Sequence, residues 1–335
     1  MVKWAIFGAG NIANTFARNI KQVENAKIVA VASKDKEKIK NFCRVNNIPS
    51  EICYSNYSEL MNLNFDVAYV GLINSLHEEV INLLAKNKKN ILTEKPAFLN
   101  MGDFNKNLKI IKKNKIFFLE SMMYLHHPQF NKILEIINNN EIGTIYKLEY
   151  SLGFDIRKKF LGYKKKIKFL SRLTDKKLGG GAINDIGCYP ISFSNKLANI
   201  NEKNNIQKIE SQGKIGLTGV DEFTKATITY ENNSFVSDIS VSINKKQDGL
   251  AIITGTNGKL LVPNLITPNN NYSLVVNEKE YNFFGNDLYT YIIKDTQNYI
   301  KDGVCEANKK GLNWEEMKLN CEIIDLWKSQ IYKYN

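Results

Sequence analysis

The first part of the chain alternates between short apolar runs and segments whose apolar residues recur every three or four positions. The apolar runs contain many β-branched residues, and the helix-period segments between them include residues 12–23 and 36–46. Such alternation predicts parallel strands buried between helices. We therefore predict an α/β domain with a doubly wound parallel sheet over residues 1–121. Its predicted strands are the runs KWAIFG, KIVAVA, VAYVGL, NILTE and IFFLE.

After residue 121 the pattern becomes mainly a succession of strands. A helix is predicted at 129–139 and a strand at 144–154, and from 206 to 284 strand follows strand with turn sequences such as ENNS and TNGK between them. Helices near 287–301 and 314–332 complete the pattern. We predict an α+β second domain, residues 122–335, built on a large, open and mostly antiparallel sheet.

The composition changes this picture little. The 335 residues are 43% hydrophobic and 24% charged, which is typical of a soluble globular protein. No apolar run is long enough to span a bilayer, and a strand pattern starts at the N-terminus with no room for a signal peptide. We therefore expect a cytoplasmic protein without a membrane partner.

The net charge of +12 arises from an excess of lysine spread along the chain. We interpret this excess as a compositional bias, and the densest cluster, Arg157–Lys168, as a solvated loop, with contact to a phosphorylated substrate as the alternative. No motif supports nucleic-acid binding. Five cysteines and three histidines form no CxxC pair and no metal-ligand spacing, so we expect reduced thiols and no metal site.

The segment AIFGAGNIA predicts a dinucleotide site. Gly8 permits a tight turn after the first strand, Gly10 allows close approach of a pyrophosphate, and Ala13 allows close packing of helix on sheet. The following helix, beginning near Asn11 and Ile12, would point its N–H groups at the anion. A purely structural glycine turn is the alternative.

The end of the second predicted strand indicates which dinucleotide binds. NAD sites usually place an acid there for the ribose hydroxyls. This chain has Ser33 and Lys34, with Lys38 one turn later, which suit a 2′-phosphate and predict a preference for NADP(H). Asp35 lies close enough to keep NAD(H) possible.

The segment NILTEKPAF ends a buried strand with Glu94, Lys95 and Pro96. Ligands of open α/β sheets bind beyond the carboxyl ends of the strands, so Lys95 is expected to point into the cofactor cleft. Pro96 favours an extended backbone at Lys95. A surface turn is the alternative.

Five motifs together resemble one family. FGAGNIA, NSLH, EKP, ESMMYLHHP and RLTDKKLGGGAINDIGCYP occur in the order and spacing of the glucose-fructose oxidoreductase/inositol dehydrogenase/MocA family. The chain is most similar to the dihydrodiol dehydrogenase-like branch, because Tyr189 stands where inositol dehydrogenase-like members carry histidine. Ile73 replaces the family's usual proline, and Met123 and Leu125 replace that branch's frequent tryptophan and arginine, so specificity for aromatic diols does not carry over.

The resemblance implies an NAD(P)-dependent dehydrogenase or reductase acting on a secondary hydroxyl or ketone of a sugar, nucleotide-linked sugar or polyol. It implies Lys95, Asp185 and Tyr189 as catalytic residues, and leaves open whether Lys95 or Tyr189 passes the proton. It also implies a homodimer or homotetramer formed through the second-domain sheet. A non-catalytic dinucleotide sensor on the same scaffold is the alternative function, and a polyanion-binding protein rests on net charge alone.

The local pattern around the catalytic pair agrees with this assignment. Asp185 and Tyr189 are one helical turn apart and should share a face, with Pro190 expected to kink the helix. The three glycines 179–181 would let the backbone approach the nicotinamide. A nearby lysine would lower the pKa of the phenol toward neutrality.

Further site residues complete the prediction. Cofactor contacts are expected from Leu72, Asn74, His77, Glu94 and Lys95, with capping as the alternative for His77. Substrate contacts are expected from Met123, His126, Phe154 and Arg172, with packing as the alternative for His126 and bracing of the loop for Arg172.

Overall fold

The computed structural model describes residues 1–156, 159–160, 163–164, 171–200, 205–231, 234–267 and 271–333. The chain forms two compact units. Unit 1 comprises Met1–His126 and Asn286–Met317, and unit 2 comprises His127–Gly285 and Lys318–Asn335. The predicted basic loop at 157–168 falls largely outside the described residues.

Unit 1 contains a six-stranded, fully parallel sheet in the order β3-β2-β1-β4-β5-β6. This order reverses direction at β1 and β4, as in doubly wound folds, and confirms the predicted Rossmann architecture. The strands are β1 Val2–Phe7, β2 Ala26–Ala32, β3 Cys53–Tyr54, β4 Val67–Val70, β5 Asn90–Thr93 and β6 Phe118–Glu120, and the helices are α1 Asn11–Ile20, α2 Lys36–Val45, α3 His77–Lys86 and α4 Met101–Asn114.

Unit 2 contains an eight-stranded sheet in the order β10-β11-β12-β7-β13-β14-β15-β16. Its pairings are antiparallel except for β12 with β7, so the prediction of a large, mostly antiparallel sheet is confirmed. The helices are α5 Pro128–Asn138 and α6 Cys188–Ile200. The strands are β7 Ile145–Gly153, the two-residue β8 Lys159–Phe160 and β9 Tyr163–Lys164, β10 Ile206–Ile215, β11 Asp221–Tyr230, β12 Phe235–Ser242, β13 Leu250–Gly255, β14 Gly258–Pro263, β15 Asn271–Val276 and β16 Lys279–Phe284.

Two helices follow the large sheet, α7 Leu288–Asp302 and α8 Trp314–Lys333. The predicted domain division at residue 121 assigned both to the second domain, but α7 packs within unit 1. The Tyr289 ring lies edge-on to Phe16 of α1 at 6.0 Å, and Thr290 donates a hydrogen bond of 3.1 Å to the Asn19 side chain. The amphipathic pattern of α7 therefore matches a partner more than 250 residues earlier in the chain, which sequence proximity could not indicate.

The cysteine prediction is wrong for one pair. Cys43 on α2 and Cys53 at the start of β3 form a disulfide, in which Cys188, Cys305 and Cys321 take no part. The chain turns back after α2 and lays β3 beside β2, which brings two cysteines ten residues apart in sequence into contact. In the described part of the chain, no helix is both long enough and apolar enough to cross a membrane.

Candidate active site

Two glycines bring the ends of β1 and β4 into close contact. Gly8 has a φ of +115°, and a side chain on it would overlap the carbonyl oxygen of Gly71. The backbone is held there by hydrogen bonds from Gly8 N–H to Ala32 and from Gly71 N–H to Phe7, both 2.8 Å long. Ala13 lies against Gly71, so α1 packs closely on the sheet.

The N-terminus of α1 is built to receive an anion. Gly10 is its N-cap residue, no side chain caps it, and its first turn contains no acid. A Cβ on Gly10 would meet no atom within 4 Å, so the space in front of Asn11 and Ile12 is open. These residues fit a dinucleotide pyrophosphate, because amide N–H groups and the positive end of the helix dipole face that space.

The predicted ribose-binding residues lie at the end of β2 and the start of α2. Ser33 is buried, and its hydroxyl accepts a hydrogen bond of 3.3 Å from the Asp35 N–H. Asp35 caps α2 by accepting from the Lys38 N–H at 3.0 Å, and its other oxygen lies 3.0 Å from the Lys38 ammonium. The exposed Lys34 ammonium lies 2.9 Å from Glu79. The two contacts of Asp35 hold the Lys38 side chain close to the N-terminus of α2.

The loop after β4 carries Leu72, Asn74 and His77. Asn74 begins a short 3₁₀ turn that leads into α3. His77 is fully buried, and its two ring nitrogens lie 2.8 Å from the Pro96 carbonyl and 3.1 Å from the Leu72 carbonyl. Burial lowers the pKa of His77, against the opposing effects of the two carbonyls, and the ring lies between the β4 loop and the β5 loop. The placement of His77 therefore favours an indirect role in holding Leu72 over direct contact with a cofactor.

A buried carboxylate anchors the segment that carries Lys95. Glu94 follows β5 and accepts hydrogen bonds from the hydroxyls of Tyr69, at 2.8 Å, and Tyr289, at 2.6 Å. Its position is thereby tied to β4 and α7. Lys95, joined to Pro96 by a cis peptide bond, is only partly buried. The sequence predicts a cofactor contact for Glu94. In the structure, the Glu94 side chain accepts hydrogen bonds from two tyrosine hydroxyls.

A second acid, Glu120, lies near the same lysine. Glu120 ends β6, is buried, and accepts a hydrogen bond of 2.8 Å from the Ala97 N–H. Burial raises the pKa of Glu120 to about 7, against the opposing effects of this N–H and of the Lys95 ammonium. Sequence analysis missed this residue, although an acid within the apolar run IFFLE was a visible signal.

Two of the predicted substrate contacts follow β6 in unit 1. Met123 and His126 lie in the 3₁₀ turn Met123–His126, and both are buried. His126 Nδ1 lies 2.8 Å from a carboxylate oxygen of Asp295 on α7. This contact gives His126 a packing role within unit 1, the alternative that the sequence left open.

The glycine-rich loop of unit 2 packs tightly on its own surroundings. Gly179 has a left-handed backbone with φ of 75°. A Cβ on Gly180 would come within 2.7 Å of the Leu173 carbonyl oxygen, and one on Gly181, whose φ is +108°, would overlap the Asp221 carboxylate. The glycines are needed for tight backbone contacts inside unit 2, and the approach of this loop to the nicotinamide stays a prediction.

The loop leads into a π-helical turn, Ile183–Gly187, and α6 begins directly after it at Cys188. The irregular part of this helical segment is therefore the π turn, and Pro190 follows it as the third residue of α6. Asp185 lies in the π turn and Tyr189 in the first turn of α6.

Asp185 and Tyr189 are both buried, at 4% and 6% exposure. Arg172 lies 3.0 Å from the Asp185 carboxylate, a contact that agrees with bracing of the loop, the alternative to the predicted substrate contact. Burial raises the pKa of the Tyr150 phenol strongly, and the nearby Tyr189 raises it further. Tyr150 therefore remains neutral beside Tyr189. Phe154, the remaining predicted substrate contact, follows β7 and is 36% exposed.

Replacing each glycine of the first motif should have a different consequence. Gly8→Ala forces a methyl group onto the Gly71 carbonyl and should destabilise unit 1 by roughly 1–3 kcal/mol. Gly10→Ala adds a methyl group to open space, so it should leave stability nearly unchanged while weakening binding of a dinucleotide. Thermal unfolding and titration with NADPH and NADH measure the two effects. Equal loss of stability in both variants would contradict this assignment of Gly10.

Glu120 should make the stability of unit 1 depend on pH. The folded protein holds this proton up to pH of about 7, whereas the unfolded chain releases it near 4.5. The native state therefore binds more protons between these values, and stability falls as the pH rises through this window, by up to about 3 kcal/mol. Denaturant unfolding at pH 5 and pH 8 should show a smaller difference for Glu120→Gln than for the wild type, and an equal difference would contradict the assignment.

Comparison with known proteins agrees with this geometry. Residues 2–121 match the model of the oxidoreductase family with an NAD-binding Rossmann fold, GFO_IDH_MocA, and residues 130–261 match the GFO/IDH/MocA C-terminal domain. The trans-1,2-dihydrobenzene-1,2-diol dehydrogenase of Xenopus tropicalis is 31% identical over 285 residues, which cover 84% of this chain and 80% of that protein. The Mus musculus protein of the same name is 27% identical over 318 residues, or 93% of this chain and 89% of that protein.

Solved structures share the fold across nearly the whole length. The aldose–aldose oxidoreductase of Caulobacter crescentus has a TM-score of 0.85 at 14% identity, covering 100% of this chain and 98% of its own. A 3-ketoreductase from Actinomadura kijaniata, solved with NADP and TDP-benzene, has a TM-score of 0.82 at 18% identity, covering 98% of this chain and 97% of its own.

The predicted resemblance is confirmed. The two family matches cover most of the chain, and the protein is an enzyme of the nicotinamide-dependent oxidoreductase type. The chain belongs to the Gfo/Idh/MocA family of oxidoreductases, whose N-terminal domain is an NAD-binding Rossmann fold.

Proposed function

We propose that the protein interconverts a secondary hydroxyl and a ketone on a sugar, a nucleotide-linked sugar or a polyol, with a preference for NADP(H). The observation that carries this proposal is the burial of a tyrosine, Tyr189, one turn after an acid, Asp185, on the segment that follows the glycine-rich loop. The buried phenol directly follows a π turn, and π turns are frequent at functional sites.

Proton transfer is the part of the reaction that this chain's residues carry out. The nicotinamide, when bound, supplies or accepts the hydride. Tyr189 and Lys95 are proposed to handle the proton of the substrate hydroxyl. Asp185, which is paired with Arg172, is proposed to orient the substrate. A positioned acid or base contributes on the order of 10²–10⁴-fold to the rate of such a reaction.

The preference for NADP(H) is supported by the contacts at the start of α2. Both carboxylate oxygens of Asp35 are engaged by Lys38, one through its backbone N–H and one through its ammonium, which leaves this acid poorly available to ribose hydroxyls. The pair between Lys34 and Glu79 is exposed and worth at most about 1 kcal/mol, so a 2′-phosphate can compete with Glu79 for this lysine.

The substrate class is supported by the names of similar proteins. The amphibian and mouse relatives are dehydrogenases of a vicinal diol, and the solved structures are a 3-ketoreductase and an aldose oxidoreductase. A 1,2-diol and an aldose both carry oxygen on adjacent carbons. We therefore propose the same feature in the substrate of this enzyme, without the aromatic ring, because Met123 and Leu125 replace the residues frequent in the aromatic-diol branch.

The outer face of the unit 2 sheet is proposed to join copies of the chain into a dimer or tetramer. This face holds a concavity of about 600 Å³ whose lining includes Glu149, Lys225 and Asp238. Lys147 lies between two of these acids, 3.1 Å from Glu149 and 3.3 Å from Asp238. Because both signs of charge occur on this face of the sheet, the face can complement the same face of a second copy across a two-fold axis.

Tyr189→Phe tests the proton-transfer role. We expect turnover to fall by about 10²-fold or more, with dinucleotide binding unchanged, because the change removes a single hydroxyl. Oxidation or reduction of a panel of hexoses, nucleotide-linked sugars, polyols and their ketones measures turnover. The matched control is Tyr146→Phe, which alters an exposed tyrosine of β7. Wild-type turnover in Tyr189→Phe would remove this tyrosine from the mechanism.

The cofactor preference is tested by Lys34→Gln. Loss of a charged contact to the 2′-phosphate should weaken NADPH binding about tenfold or more and leave NADH binding almost unchanged. Lys27→Gln, at the opposite end of β2, is the control and should change neither affinity. Tighter binding of NADH than NADPH by the wild type would contradict the proposed preference.

A further inference from the structure

Asp221, the first residue of β11, is a fully buried carboxylate beside the segment that carries Asp185 and Tyr189. One of its oxygens accepts a hydrogen bond of 2.7 Å from the Ile183 N–H, at the start of the π turn. The other accepts one of 2.9 Å from the Tyr332 hydroxyl on α8. The Asp221 N–H in turn donates to the same tyrosine oxygen at 3.1 Å, so the strand, the helix and the π turn are joined at one acid.

Such an acid is expensive to bury, and stability alone gives little reason to keep it. Burial raises the pKa of Asp221 to about 6, while the Ile183 N–H, the Tyr332 hydroxyl and the field of Lys328 oppose the shift. A buried carboxylate without a close cation is usually no more stabilising than a well-packed apolar residue. Its value must therefore lie in the geometry that its two oxygens impose.

The glycine-rich loop is shaped to fit this carboxylate. Gly181 lies so close to Asp221 that any side chain at 181 would overlap the acid. The Gly181 carbonyl accepts a hydrogen bond of 3.0 Å from the Asp185 N–H. The Asp221 carboxylate thus contacts the backbone at 181 and at 183, where the π turn begins. Asp185 is hydrogen-bonded to the first of these residues, Gly181.

The third element at this junction is also tied to the loop. The ammonium of Lys176, in the 3₁₀ turn just before the glycines, lies 4.6 Å from the centre of the Tyr332 ring. Tyr332 therefore contacts the loop through its ring and Asp221 through its hydroxyl. Movement of the acid would be transmitted to both ends of the glycine-rich segment.

We propose that Asp221 is a positioning residue, whose acceptor oxygens fix the π turn Ile183–Gly187 and so set the positions of Asp185 and Tyr189 for turnover. This role rests on the proposed function of those two residues. Asp221 itself does not take part in proton transfer. It acts through the backbone of the turn, because displacement of catalytic groups by about 1 Å costs on the order of 10²-fold in rate.

The test compares Asp221→Ala with Asp221→Asn in the full chain. Alanine removes both acceptors and should lower kcat roughly 10- to 100-fold, with KM and NADPH affinity almost unchanged. Asparagine retains an acceptor for the Ile183 N–H and should restore most of the activity. Rates are expressed per NADPH-binding site, so a smaller folded fraction does not count as loss of kcat.

Asp302→Ala is the matched control, because Asp302 is an exposed acid at the end of α7, 3.9 Å from the Lys309 ammonium. It should leave kcat unchanged. If Asp221→Ala does not fold, Tyr332→Phe removes one of the two donors to the acid and should lower kcat in the same direction by a smaller factor. An unchanged kcat in Asp221→Ala, or in its substitute Tyr332→Phe, overturns the proposal.

Hydrogen exchange separates this proposal from the proposed function. Peptides covering residues 181–189 should exchange about tenfold faster in Asp221→Ala than in the wild type, whereas peptides of α1 should not change. Unaltered exchange at 181–189 would overturn the positioning role even if kcat falls. A wild type without turnover on any substrate, combined with faster exchange in the variant, would refute the proposed function and leave the anchoring of the turn intact.

Discussion

The close contact between Gly8 and Gly71 is the constraint on which the nucleotide half of the site depends. No side chain fits between the end of β1 and the end of β4, so the two backbones meet there directly. The chain can then turn sharply into α1, whose N-terminus opens onto space that no side chain caps. An anion-binding surface at the switch point of the sheet follows from this contact and from the helix dipole.

Buried acids hold the reactive segments of both units. Glu94 is bound by two tyrosine hydroxyls and fixes the backbone next to Lys95. Asp221 is bound by a tyrosine hydroxyl and a backbone N–H at the start of the turn that carries Asp185. Both acids accept hydrogen bonds from neutral donors. These bonds fix the backbone near Lys95 and near Asp185.

Local sequence patterns predicted the features of this fold that depend on short stretches of the chain. Periodicity predicted the fold class and five of the six strands of the parallel sheet, missing the two-residue β3, and the motif around Gly8 predicted the dinucleotide site. Contacts between distant residues were not predictable, because no short pattern reports them. They include the packing of Tyr289 on Phe16, the disulfide between Cys43 and Cys53, and the contact of Asp221 with Gly181, which leaves no room for a side chain on that glycine.

The most direct test of the account is transfer of deuterium from the 4-position of reduced nicotinamide to substrate. The enzyme would be incubated with deuterated NADPH or NADH and a panel of keto-sugars and their nucleotide-linked forms, and the products analysed by mass spectrometry. The account predicts one deuterium at a former carbonyl carbon, with more product from NADPH. Tight dinucleotide binding without deuterium in any product would contradict the central claim that this chain is a carbohydrate oxidoreductase.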